Sequence, residues 1–144
     1  MCDTLQTMHG PMEELKTRIA HSPLVKLLGI RLERLEEGYA MLAMDVEEKH
    51  LNSLGTLHGG VMATLNDVAC GVAINTVLAP KATILSLDLR VEFIDTVSAG
   101  TVYCEGFLTQ KKRTVAFAHS RLTGEKGKLL STASATGFIK RWSP

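Results

Sequence analysis

The sequence predicts an α+β protein in which one antiparallel sheet packs against a single long helix. Three observations predict it. From about Gly60 to Leu78 apolar residues recur at three- and four-residue spacing, with Val61, Leu65, Val68 and Val72 on one face. From Leu85 to Phe93 the period drops to two, and Leu85, Leu87, Leu89, Val91 and Phe93 alternate with Ser86, Asp88, Arg90 and Glu92. Further strand-like runs flank these segments, separated by turn residues.

Each element has its own local reason. From Pro11 to about Ala20, Met12, Leu15 and Ile19 have the spacing of a short amphipathic helix, with Pro11 in the first turn and Glu13 and Glu14 near its positive end. Ser22-Pro23 is expected to stop it. Strands over about 29–36 and 39–47 join at Glu37-Gly38, where glycine suits a tight turn. A polar loop over 48–56 leads into the long helix, which Ala79-Pro80 closes. At ~1.5 Å per residue that helix is roughly 28 Å long. After the alternating strand, further strands are predicted near 100–110, 114–123 and 128–140, the first two hinged at Lys111-Lys112-Arg113. The last carries Ser131, Ala133, Ala135 and Gly137 on one face, small enough for a helix to lie close. Residues 1–24 are expected to form an N-terminal segment with a frayed start, 25–140 one domain and 141–144 a tail.

Composition excludes several classes. The 144 residues suit one domain, and 45% hydrophobic against 22% charged residues is an ordinary globular mix. Sixteen basic against fifteen acidic side chains give a net charge of +1, so no global field favours nucleic acid or an anionic membrane. Cys2, Cys70 and Cys104 are too scattered for a disulfide framework, and the five histidines lack metal-site spacing. The first twenty residues lack the apolar run of a secretory signal, and Asp67 interrupts the one stretch resembling a membrane span. The expectation is a soluble, cytoplasmic protein with no nucleic-acid or membrane partner.

Two features carry chemistry. Asp67 is the only Asp, Glu, Lys or Arg between Lys49 and Lys81, in a helix otherwise nearly apolar all round. A carboxylate there is an exposed or paired surface residue, or it is held in a dry groove where it works as base or nucleophile. His58-Gly59-Gly60 places bare backbone N–H groups at the helix's positive end, where a carbonyl could be polarised. A flexible helix entry is the bland alternative. Gly59 and Asp67 lie eight residues apart, so roughly 12 Å along one helix. They cannot touch one carbonyl from the same chain. Two antiparallel helices in a two-fold dimer bring Gly59 of one copy to Asp67 of the other.

The stretch Asn52-x-x-Gly55-x-x-His58-Gly59-Gly60-x6-Asp67 resembles the signature of hot-dog-fold acyl-CoA thioesterases of the PaaI-like group, over about residues 25–140. The resemblance implies a long helix wrapped by a curved antiparallel sheet, and hydrolysis of an aromatic or aliphatic acyl-CoA with no metal or redox cofactor, CoA being part of the substrate. It implies that Asp67 attacks the thioester or activates water, that Gly59 N–H polarises the carbonyl with help from Asn52, and that His58 orients the carbonyl or assists the leaving thiolate. Gly60 would line the substrate site. Ser86 resembles a strand serine that positions water, although its alternation puts it off the Leu/Val face. Lys111, Lys112 and Arg113 would contact the CoA phosphates, with a solvated hairpin tip as the bland alternative; Lys140-Arg141 is a weaker candidate. The implied assembly is a homodimer at least, with a homotetramer expected. A hot-dog dehydratase or hydratase is the alternative within enzymes, and Asp67 lacks the partner motif that chemistry wants. A non-catalytic acyl-CoA binder is the other alternative, and it has no need of a lone carboxylate.

Overall fold

The computed structural model describes residues 10–142; the expected fraying of the first residues falls mostly outside that range. In chain order the elements are α1 (Pro11–Ala20), α2 (Pro23–Leu28), β1 (Arg31–Glu36), β2 (Tyr39–Asp45), α3 (Gly59–Asn75), β3 (Ala82–Phe93), β4 (Thr101–Lys111), β5 (Val115–Thr123) and β6 (Leu129–Arg141), with single 3₁₀ turns at Glu48–His50 and Glu125–Gly127. The six strands form one antiparallel sheet in the order β1-β2-β4-β5-β6-β3. The curved sheet wraps α3, which contacts five of the six strands. This is the hot-dog architecture.

Two helix boundaries differ from the sequence reading. Pro23 does not merely end helical structure, since it opens α2. Proline is tolerated in a first turn because the N–H it lacks has no partner there anyway. Gly29 closes α2 in the left-handed region at φ +73, and its N–H reaches Lys26 O at 3.1 Å. At the other boundary, α3 ends at Asn75 rather than Leu78. Thr76 intervenes: its hydroxyl donates to Ala73 O at 2.7 Å and accepts the N–H of Gly38 at 2.7 Å. The helix end is thereby tied to the β1–β2 turn, where Gly38 does adopt a positive φ of +74.

Small residues set how closely α3 approaches the sheet. Ser131, Ala133, Ala135 and Gly137 are all buried, as their alternation predicts. The closest approach is on β4. A Cβ at Gly106 would collide with the carbonyl oxygen of Ala69, so only glycine fits there. Leu42, Met44, Leu65, Val102, Leu122 and Leu130 fill the space around the middle of the helix.

A polar cluster centred on Asn66 lies inside this core. Asn66 is fully buried, donates to Ser131 Oγ at 2.8 Å and Met62 O at 2.8 Å, and accepts from Ser120 Oγ at 2.7 Å. Its neighbour Asp67 is turned about 100° further round the helix, toward β3. Asn66 therefore fixes the rotation of α3 and, with it, the direction of Asp67.

Candidate active site

β3 is where the alternation rule fails, and the failure builds the site. Ser86 pairs with Gly137 and Asp88 with Thr136, leaving Leu87 as an extra residue in a bulge. The bulge shifts the phase of the strand. Ile84 and Ser86 face α3 before it, and Leu89 packs inward after it. Leu85 and Leu87, expected on the buried face, are 48% and 63% exposed. Ser86, expected off the helix face, donates its hydroxyl to Asp67 Oδ1 at 2.7 Å within the same chain.

Asp67 is half-buried and faces a cavity of about 330 Å³. Ser86 lines the same cavity, with Val68, Val72 and Ile84 supplying apolar wall. A larger groove of about 560 Å³ runs between α1, α2 and β1, and neither Asp67 nor Gly59 lines it. Among the described residues, no group of three or more His, Cys, Asp or Glu is arranged to hold a metal. The buried thiols are poor nucleophile candidates. Burial pushes Cys70 up to about 11, and Cys104 well above its ordinary value.

At its N-terminus α3 is capped by His58, whose Nδ1 accepts the N–H of Gly60 at 2.7 Å. That bond leaves the proton on Nε2, on an exposed ring. Gly60 has therefore spent its donor on the cap. Among the described residues the N–H of Gly59 has no protein acceptor, and it sits at the positive end of a 17-residue helix. The ring of Phe93 flanks the Cα of Gly59, with Cε1 3.3 Å from where a Cβ would stand.

Asn52 is differently engaged. Its Oδ1 accepts from Leu54 N at 2.9 Å and Thr56 N at 3.1 Å, and its Nδ2 donates to Thr56 Oγ1 at 2.9 Å. The side chain shapes the loop that delivers His58 and Gly59. His50, which sequence reasoning passed over, anchors that loop: fully buried, it accepts from Glu47 N at 2.9 Å, bonds Leu28 O at 2.8 Å, and its carbonyl receives the N–H of His58 at 2.9 Å.

The structure joins Asp67 to Ser86 and groups Asn52, His58, Gly59 and Gly60, but it does not bring the two groups together in one chain. Gly59 and Asp67 stand at the start and middle of the same helix. Lys111, Lys112 and Arg113 are exposed, Lys111 ending β4 and the other two forming the turn to β5. Along the row Ser86–Gly137–Ala116–Lys111, three strand spacings separate Lys111 from Ser86, or about 14 Å. Arg141 donates to the carbonyl of Arg113 at 2.9 Å and braces that turn.

A half-buried carboxylate bound by a serine hydroxyl, and a helix whose first N–H has no acceptor among the described residues, sit on this hot-dog scaffold. The pattern describing the thioesterase superfamily matches residues 54–131. A Pseudomonas aeruginosa protein named as an esterase is 33% identical over 121 residues, 82% of this chain and 87% of its own. The medium/long-chain acyl-CoA thioesterase YigI of Salmonella typhimurium is 29% identical, covering 84% of this chain and 88% of its own. A thioesterase family protein from Silicibacter pomeroyi superposes with a TM-score of 0.87 at 23% identity, over 92% of this chain and all of that one, a likeness of fold. The chain belongs to the thioesterase superfamily.

Proposed function

We propose that this protein is an acyl-CoA thioesterase of the PaaI-like group, with each active site shared between two subunits. The reaction adds water across the thioester: a C–O bond forms, the C–S bond breaks, and the proton lost by water ends on the CoA thiol. The observation that carries the reading is the Asp67–Ser86 pair facing a largely apolar cavity while the Gly59 N–H stands open at the helix start.

The chemistry divides among these groups. Gly59 N–H, backed by the helix dipole, stabilises the oxyanion as the carbonyl becomes tetrahedral. Asp67 supplies the base or the nucleophile, and Ser86 holds it in one rotamer. His58 donates its Nε2–H to the carbonyl or the departing thiolate. Asn52 contributes by fixing the loop that presents His58 and Gly59. The reaction uses the chain's own groups and water.

Sharing follows from distance, since Gly59 and Asp67 are roughly 12 Å apart along α3. Twelve-residue β3 is an edge strand with unpaired backbone groups along its free side, which supports pairing with a second copy. Antiparallel packing of the two α3 helices then completes two sites, and two such dimers form the expected homotetramer. In this arrangement Lys111, Lys112 and Arg113 reach the CoA phosphates of the neighbouring subunit's site.

The test is free-thiol release from a panel of aliphatic and aromatic acyl-CoAs, with Asp67→Ala as control. Expected is turnover of at least one class that falls by about 10²–10⁴ in the variant. No thiol release across the panel, or undiminished release by a folded Asp67→Ala, overturns the reading.

A further inference from the structure

The cavity that holds Asp67 and Ser86 has a second, polar end. Asp67, Gly71 and Asn75 recur every four residues along α3 and line the cavity on one stripe, about 12 Å from first to last. Gly71 carries no side chain on this stripe, and a Cβ there would stand 3.6 Å from Ile84 Cγ2, in van der Waals contact. The walls between the ends are Leu15, Ile19, Val25, Val68, Val72 and Ile84. At the far end Arg18, reaching from α1, donates to Asn75 Oδ1 at 3.2 Å. Thr83 Oγ1 donates to the same oxygen at 3.2 Å, and Asn75 Nδ2 is bound to Gly71 O at 2.8 Å. The amide of Asn75 is thus held from three directions and presents the guanidinium to the groove.

Arg18 differs from most arginines of the fold in having no carboxylate. Arg31, Arg34, Arg90 and Arg121 each pair with an acidic side chain, whereas Arg18 pairs with none among the described residues. It also lines a second cavity of about 280 Å³, bordered by Glu14, Pro80 and Trp142, and so stands as the divider between the two.

Resting on the thioesterase reading, we propose that Arg18 is the specificity residue of this groove and selects acyl groups that end in a carboxylate, the monothioesters of medium-length dicarboxylic acids. An acyl chain whose thioester lies at Asp67 runs along the Gly71 stripe and meets the guanidinium at its far end. A terminal methyl there gains no hydrogen bond from the guanidinium. A terminal carboxylate returns a charge-assisted, bidentate pair. Longer alkyl chains need the space beyond, which Arg18 closes.

The experiment compares suberoyl-CoA with octanoyl-CoA, equal in carbon number, by thiol release from the wild type, Arg18→Ala and Arg18→Lys. The exposed position of Arg18 on α1 keeps these variants folded, which a thermal melt verifies. In the wild type kcat/KM favours suberoyl-CoA by about tenfold or more, the worth of one hydrogen bond to a charged group. Arg18→Ala abolishes that preference mainly through KM, Arg18→Lys keeps part of it, and Arg18→Ala gains activity on palmitoyl-CoA as the two cavities join. If the wild type cleaves both thioesters alike, or Arg18→Ala leaves their ratio unchanged, the specificity role is overturned while the thioesterase reading stands. If neither these nor any other acyl-CoA is cleaved, the thioesterase reading falls and takes the specificity role with it.

Discussion

At the scale of single residues, Asp67 and Ser86 form a pair whose members contribute unequally. Asp67→Ala removes the proposed reacting group, so turnover is expected to fall by about 10²–10⁴ with the fold intact. Ser86→Ala removes only the hydroxyl that holds the carboxylate at 2.7 Å. The expected result is a smaller fall in kcat, about tenfold for one lost hydrogen bond to a charged group, with KM nearly unchanged. Steady-state thiol-release kinetics on both variants check the order. A Ser86→Ala loss that appears wholly in KM would make the serine a substrate-binding group instead. The isolation of Asp67 in an apolar helix was legible from the chain. Its bond to Ser86 was not, because strict alternation places that serine on the opposite face.

At the scale of elements, the bulge at Leu87 and the anchor at Asn66 decide how α3 and β3 meet. Asn66 satisfies three polar partners inside an apolar core, so losing it strands the hydroxyls of Ser120 and Ser131. Asn66→Ala is expected to cost about 1–3 kcal/mol for each group left unpaired, measured as a lower urea midpoint with an unaltered slope. The surviving folded fraction should also lose turnover, since α3 is then freer to rotate and Asp67 with it. Ser120→Ala should move stability in the same direction by less. Asn66 was visible only as a polar residue beside Asp67. Nothing in its spacing separates a buried anchor from a solvated asparagine, because the partners lie 54 and 65 residues away.

At the scale of the whole molecule, shared sites and pH dependence follow. Asp67→Ala and Gly59→Pro damage opposite halves of each proposed site, so mixed dimers contain one intact site. Each variant alone should be nearly inactive, and subunit exchange should restore a measurable share of thiol release. Full activity from a demonstrated monomer would end the shared-site reading. For pH, Glu105 links three strands by accepting from Tyr39 at 2.5 Å and Arg121 at 2.9 Å. Burial alone would raise its carboxyl, but these two bonds outweigh burial and hold it below the usual range. A depressed acid stabilises the fold above its unfolded value of about 4.3 and loses that contribution as pH falls through the folded value. Tyr39, pushed up to about 12 chiefly by burial and then by Glu105, acts in the opposite sense and loses its contribution only as pH rises through that value. Glu105→Gln should therefore be less stable than the wild type near neutrality and show a flatter decline in acid, as urea midpoints between about pH 3 and pH 7 would show.

The sequence by itself determined the layer arrangement, the long helix with its lone carboxylate, the glycine-rich helix entry and the small-residue face of β6. Each of these is a local pattern, a period or a backbone requirement, and such patterns survive without knowledge of neighbours. Tertiary structure alone decided that Pro23 opens a second helix, that Gly106 is the point of closest approach, and that Ser86 faces Asp67. It also placed Arg18 of α1 against Asn75 of α3, across 57 residues of chain. The bulge shows why. One extra residue at Leu87 costs nothing in the residue pattern, yet it reverses which side chains face the helix, and only pairing with β6 determines where that residue goes.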